Sequence, residues 1–357
     1  MEDNPVERIR SEVESKVGSR DFGMLTLRTA NRTLQEAALR PDPVDLYHEL
    51  WFEGEVCCLF ADSNLGKSIY AVQMADDISH FQNVLYVDCE LSDKQFQLRY
   101  TDQESGRLYQ FQDSLTRAEI NPARMNLKNF EEEIIRNIED AAISTGSKVI
   151  IIDNLTYLCN NCEKGDVAGL FMISLMNLKK KYGWSLLIIA HTPKRSLTSP
   201  ITQNDLAGSK KLYNFFDSVF AIGKSARDER LRYVKQVKVR AGAYKYGGDN
   251  VILYEIVHDR ENVHFEFKGF ANEKDHLKEV DDKEKNTLQE NVLEMVQRGK
   301  SYREIAETLG ISKSLVGNIV KKSEVSTAST ASTPSKGVDD MDSVDSGKEE
   351  VKDVSLF

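Results

Sequence analysis

One run of fourteen residues, Glu55-Val-Cys-Cys-Leu-Phe-Ala-Asp-Ser-Asn-Leu-Gly-Lys-Ser68, constrains this chain more than any other feature. An apolar segment of strand length passes through a short loop into Gly66-Lys67-Ser68, and Ile69, Val72, Ala75 and Ile78 follow at helical spacing. Backbone N–H groups at such a junction have no partner in the first helical turn, and the helix dipole adds partial positive charge, so the loop is a cradle for a polyphosphate. Ala61, Asp62, Ser63, Asn64, Leu65 and Gly66 form the cradle, Lys67 reaches the β- and γ-phosphates, and the Ser68 hydroxyl ligates Mg²⁺. The ligands expected are therefore ATP and Mg²⁺. Ala61 stands where G-x-x-x-x-G-K-[ST] begins with glycine. Alanine does not adopt positive φ cheaply, so the loop begins either in an ordinary backbone conformation or under strain.

With 357 residues, 40% hydrophobic and 29% charged, the chain reads as soluble and globular, with room for one large core and a smaller module. No run reaches membrane-spanning length, and the start, Met-Glu-Asp-Asn-Pro, lacks the basic and apolar regions of a signal peptide. A cytoplasmic protein without a membrane partner is expected. Five cysteines fit that compartment: Cys57 and Cys58 lie within the strand before the loop, and Cys159 and Cys162 form a lone C-x-x-C without the second pair or His cluster that zinc needs. The net charge of −10 argues against indiscriminate nucleic-acid binding but leaves room for a local basic patch.

Residues 1–45 read as a charged helical segment ending near Pro41-Asp-Pro43. Over 46–271, apolar strand candidates alternate with helical stretches, the signature of a mostly parallel sheet covered by helices. The strands expected are Val56–Phe60, Val84–Cys89, Val149–Asp153, Leu186–Ala190, Val219–Ile222 and Val234–Arg240, then an antiparallel pair at Val251–Val257 and Val263–Phe267. Residues 272–286 are rich in charge and poor in apolar residues, so they read as a linker. Helical periodicity returns over 287–322, and 323–357 reads as a disordered acidic tail.

Three strand ends carry the chemistry that a phosphate loop requires. Val149-Ile-Ile-Ile-Asp153 ends in a carboxylate suited to hold Mg²⁺ through a water. Val84-Leu-Tyr-Val-Asp-Cys-Glu90 ends at the edge where ligands bind in open α/β sheets, and Glu90 there can polarise the water that attacks the γ-phosphate. Asp88 competes for that role. Leu186-Leu-Ile-Ile-Ala-His191 places His191 at the same edge as a γ-phosphate sensor, followed by a loop from Pro193 to Lys211. Lys194, Arg195, Lys210 and Lys211 in that loop read either as DNA contacts or as a solvated charged surface.

Taken in order, the phosphate loop, the two acid-ended strands, the His-ended strand and Lys238-Val-Arg240-Ala-Gly242 resemble the RecA-like P-loop ATPases of the AAA family, in particular the RepA and DnaB group of hexameric helicases. The resemblance covers about residues 45–268 and implies a RecA-like twisted sheet, ATP hydrolysis, and assembly into a ring, a hexamer, around single-stranded DNA. It further implies that Arg240 and Lys238 act in the neighbouring subunit's site, stabilising charge that develops on the γ-phosphate.

Tyr302 to Lys321 resembles the helix-turn-helix of resolvases and sigma factors: Ile305 and Ala306 on the first helix, Gly310 at the turn, Ser312 as N-cap, and Val316 and Ile319 facing the core. Lys313, Ser314 and Asn318 then face the major groove of duplex DNA. Residues 298–322 hold six Lys or Arg against two Glu, a basic module within an acidic chain. The sequence thus points to an ATP-dependent DNA motor, a replicative or mobilisation helicase. Two rivals stay open: an ATP-switched DNA-binding regulator that unwinds nothing, and a RecA-like recombination mediator.

Overall fold

The computed structural model describes residues 20–125, 129–158, 165–192, 195–206, 210–240, 242–279 and 282–329. The chain divides into two compact units between Lys278 and Glu279.

The first unit opens with a hairpin, β1 (Arg20–Phe22) and β2 (Leu25–Leu27), and a helix Ala30–Ala38 capped by Thr29 that buries none of its residues. The helical segment expected at the N-terminus is therefore part hairpin, part helix, and residues 1–19 lie outside the described set. A second hairpin pairs β3 (Asp45–Tyr47) with β4 (Trp51–Phe52) and buries Trp51 completely.

The nine strands of the main sheet are β5 (Val56–Ala61), β6 (Val84–Asp88), β7 (Leu115–Glu119), β8 (Val149–Asp153), β9 (Ser185–His191), β10 (Ser218–Lys224), β11 (Leu231–Val239), β12 (Val251–Asp259) and β13 (Asn262–Ala271). They lie in the order β13-β12-β11-β10-β5-β9-β8-β6-β7, parallel from β10 to β7 and antiparallel from β10 to β13. This is the α/β, mostly parallel sheet that the alternating pattern predicts, and it is consistent with the RecA-like fold that the resemblance implies. Every residue of β5, β6 and β8 is buried, which explains their continuous apolar runs: strands covered on both faces need no polar alternation.

Side chains alternate between two cores. Cys57, Leu59 and Ala61 pack with Tyr70, Met74 and Ile78 of the helix Lys67–Ser79, while Val56, Cys58 and Phe60 pack with Phe171, Met172 and Leu175 of the helix Gly165–Tyr182. At roughly 1.5–3 kcal/mol for each fully buried large apolar side chain, these layers hold the sheet whose parallel strands end together at one edge. Register puts Ala61 beside His191 and Asp88 beside Asp153 there. Burial pushes both Cys57 and Cys58 thiols upward, so they are inert core groups. Cys159 and Cys162 lie outside the described residues.

The expected linker is only partly one. Residues Glu273–His276 form a short 3₁₀ turn whose Glu273 and His276 are buried. Glu273 pairs with Lys235 at 2.5 Å and accepts the Ile201 N–H at 2.7 Å, and His276 Nδ1 lies 2.8 Å from Ser225 Oγ. Charge here is paired inside the fold, which composition alone cannot distinguish from charge in water.

The second unit contains helices Asp282–Gln297, Tyr302–Leu309 and Lys313–Ser329 around Val292, Ile305, Val316 and Val320. Ile319 is partly buried against the same cluster. Ser301 and Glu304 form a capping box at the start of the middle helix, and Gly310, at φ +65°, ends it. The last helix continues past Ser323, where a tail was expected, to Ser329; residues 330–357 are outside the described set. No helix among the described residues is long and apolar enough to cross a membrane.

Candidate active site

Strand β5 hands directly into the loop, and Gly66 is the residue that shapes it. Its φ is +89°, and a Cβ at that position would lie 2.9 Å from both Ile256 Cδ1 and the Phe265 ring, so a side chain is excluded by conformation and by space. Asn64 also takes positive φ, +63°, as asparagine does more readily than most residues. Ala61 does not: it is the last, fully buried residue of β5, so the loop begins in ordinary extended backbone without the glycine of the usual pattern. Leu65 is buried, while Ser63 and Asn64 are exposed and Asp62 is partly covered.

Lys67 is buried at the start of the helix, where its Nζ donates to the carbonyls of Ala61 at 2.9 Å and Asp62 at 3.0 Å. Burial pushes this ammonium below the usual lysine value, opposed by the carboxylates of Asp153, Glu90 and Asp62. The Asp153 carboxylate accepts the Tyr86 hydroxyl at 2.7 Å, and the nearby Ser68 hydroxyl also favours its charged form. Burial raises the Asp153 carboxyl, and the two hydroxyls hold it down.

Glu90 and Asp88 separate clearly. Asp88 is buried; its Oδ1 accepts the N–H groups of Glu90 at 3.1 Å and Leu91 at 2.9 Å, and its Oδ2 accepts Arg117 Nε at 3.0 Å. Both oxygens are committed to holding the turn. Glu90 has a 43% exposed side chain beside Asn154 and His191. Asn154 Nδ2 bonds Glu90 Oε1 and lies 2.9 Å from His191 Nε2, itself 3.4 Å from Glu90. The His191 hydrogen bond, working against desolvation, holds the Glu90 carboxyl below the ordinary glutamate value, with the Lys67 charge and Asn154 in support. Asn154 is fully buried and accepts the Tyr157 N–H through Oδ1 at 3.1 Å. It is a site residue that the sequence did not reveal, because an Asn after an acid-ended strand reads as a turn former.

Lys67, Ser68, Glu90, Asp153 and His191 thus share one sheet edge. Lys238 and Arg240 do not. Register pairs Lys238 with Val219 and Val239 with Ser218, and these with Cys58 and Cys57, so both cations lie toward the opposite edge, Lys238 about 10 Å and Arg240 about 17 Å from Ala61 along β5 at ~3.3 Å per residue. Arg240 is about half exposed and donates to Asp217 Oδ1 at 2.7 Å; Lys238 donates to the Tyr213 carbonyl at 3.0 Å and sits 4.8 Å from the Tyr213 ring. Asp217 is a buried anchor that also takes Lys179 at 2.7 Å and the Val56 N–H at 3.0 Å.

The structure corrects the expectation for Arg195. Its side chain is 9% exposed, donates to the Ser199 carbonyl and approaches Asp205 at 3.6 Å, so it holds its own loop and does not face solvent. Lys194 lies outside the described residues, and Lys210 and Lys211 open the helix Lys210–Phe215. In the second unit Lys313, Ser314 and Asn318 are all exposed on one helix, with Ser314 and Asn318 opposite buried Val316 and Val320.

Residues 26–196 match the family model described as an AAA domain. No curated protein matches the chain. The matched span is similar to the AAA-type ATPase domains, a class that binds nucleotide, usually with Mg²⁺. It contains Lys67, Ser68, Glu90, Asn154, Asp153 and His191 and stops short of Lys238 and Arg240. The residues fit ATP and Mg²⁺ on their own geometry: a loop held at positive φ by Gly66 at a helix start, a buried ammonium, and a hydroxyl and a carboxylate near each other as hard oxygen donors. Ser68 and Asp153 would hold Mg²⁺, which would supply positive charge against the charge that develops on the phosphates.

Lys67→Ala is expected to lower ATP affinity and turnover together while the fold persists, since the charge sits at a loop-to-helix junction. Titration with a fluorescent ATP analogue checks this. Wild-type affinity in a folded variant removes Lys67 from the phosphate site.

Proposed function

We propose that this chain is an ATP-driven DNA motor of the RepA-like helicase type, hydrolysing ATP at interfaces between copies in a ring. The observation that carries the reading is the separation just described: the groups suited to hydrolysis gather at one end of the sheet, and the cations suited to stabilising the γ-phosphate stand at the other. They can meet only if one copy supplies Arg240 and Lys238 to the site of the next. In that arrangement Glu90 accepts a proton from the attacking water, His191 and Asn154 hold its carboxylate, and Ser68 and Asp153 serve Mg²⁺. A ring of six around single-stranded DNA follows the same resemblance.

The second unit supports duplex binding through Lys313, Ser314 and Asn318, exposed on a capped helix within the basic 298–322 segment. Lys210 and Lys211 are proposed as further DNA contacts, with Lys194. Strand displacement on a tailed duplex, with ATPase measured across protein concentrations, tests the motor. Specific activity that rises with concentration together with duplex separation supports it. Concentration-independent hydrolysis with no unwinding overturns it in favour of an ATP-switched regulator.

A chain ending at Lys278 is expected to keep ATPase activity, because the first unit contains its own core and site. Its affinity for duplex DNA should fall and the dependence of that affinity on salt become shallower as Lys and Arg phosphate contacts are lost. Fluorescence anisotropy at several salt concentrations measures both. Unchanged binding relocates the DNA interface to the first unit.

A further inference from the structure

We infer, resting on the proposed role of Glu90, that Arg117 is its positioning residue, clamping the turn that carries Glu90 from the outer strand of the sheet. Arg117 lies in β7 opposite Tyr86 of β6, with an 18% exposed side chain. Its guanidinium donates in three directions: Nε to Asp88 Oδ2 at 3.0 Å, one terminal nitrogen to Asp93 Oδ1 at 2.6 Å, and the other to the Leu91 carbonyl at 2.6 Å. The Phe96 ring covers the guanidinium at 4.9 Å. These anchors bracket Glu90 in sequence from 88 to 93.

None of the three bonds goes to Glu90 itself, so the constraint passes through the backbone. Asp88 relays it, because the carboxylate that holds Arg117 also accepts the N–H groups of Glu90 and Leu91. On the other side, the Cys89 N–H donates to the Asp153 carbonyl at 2.7 Å and ties the same turn to the Mg²⁺ carboxylate's strand. The Glu90 side chain is 43% exposed, so packing alone does not aim it. A planar fork fixes three acceptors at once, whereas a lysine ammonium at the same place is a single point charge.

The test uses the full chain, comparing ATPase kinetics and fluorescent-nucleotide affinity for Arg117→Lys, Asp93→Asn and Glu90→Gln. The Asp93 side chain is 78% exposed, so Asp93→Asn weakens one anchor by removing its charge without opening the core. Arg117→Lys should lower kcat about tenfold or more and Asp93→Asn by a smaller factor, with nucleotide affinity unchanged in both, because a small misplacement of a reacting group costs rate and not binding. In the Glu90→Gln background Arg117→Lys should have no further effect, since no carboxylate remains to be aimed. Wild-type kcat in folded Arg117→Lys overturns the inference, as does an equal loss in both backgrounds. If Arg117→Lys does not fold, wild-type kcat in Asp93→Asn overturns it instead. Normal turnover by Glu90→Gln removes the role of Glu90 and this inference with it, whereas a slow Glu90→Gln beside a normal Arg117→Lys removes the inference alone.

Discussion

Glu90→Gln is expected to bind ATP as the wild-type chain does and to hydrolyse it at least about a hundredfold more slowly, the scale of a lost general base. The substitution preserves the shape of the side chain and its bond to Asn154 while removing the acceptor of the water's proton. Asp88 cannot take over, because both its oxygens hold Arg117 and the turn. A base works unprotonated, and the His191 hydrogen bond, followed by the charges around it, keeps the Glu90 carboxyl below its ordinary value of 4.5. The acid limb of the kcat/KM profile should therefore lie below that value, with activity intact above it and lost only as pH falls through the depressed pKa. His191→Ala removes the largest of the lowering interactions, so the limb should move up toward the ordinary range. A folded Glu90→Gln with normal turnover, alongside an inactive Asp88→Asn, reverses the assignment.

What the sequence made legible follows from burial. β5, β6, β8 and β9 are inner parallel strands, nearly all apolar; β6, β8 and β9 end in a polar residue at the ligand edge and β5 runs directly into the phosphate loop, so strand and chemistry are readable together. β7 has the opposite character. As an outer strand it is only partly buried, and Leu115-Thr-Arg-Ala-Glu119 carries no apolar run, which hid both the strand and Arg117. Glu273 and Arg195 were misread for a related reason: each charge is neutralised inside the fold by a partner far from it in the sequence or across a loop, and composition registers charge without its partner. Position along the chain likewise gave Lys238 and Arg240 no direction. The antiparallel course of β11, away from the phosphate loop, carries them to the far edge.

That far placement makes Arg240→Ala the sharpest test of assembly. The variant is expected to bind ATP normally and to lose about a thousandfold or more in hydrolysis, because a cation supplied by the next copy stabilises the transition state and adds little to ground-state binding. Its own fold should survive: Asp217 keeps Lys179 at 2.7 Å and the Val56 N–H at 3.0 Å after the guanidinium is gone. Glu90→Gln and Arg240→Ala spoil opposite halves of a shared interface, so a ring mixed from the two contains some interfaces with both wild-type groups, and activity should partly return as the variants are titrated together. A cation acting within its own chain leaves every subunit of the mixture defective and restores nothing. Mixtures that co-assemble yet stay inactive would therefore confine Arg240 to its bond with Asp217, and the separation of Arg240 from Lys67 and Glu90 would no longer argue for a ring.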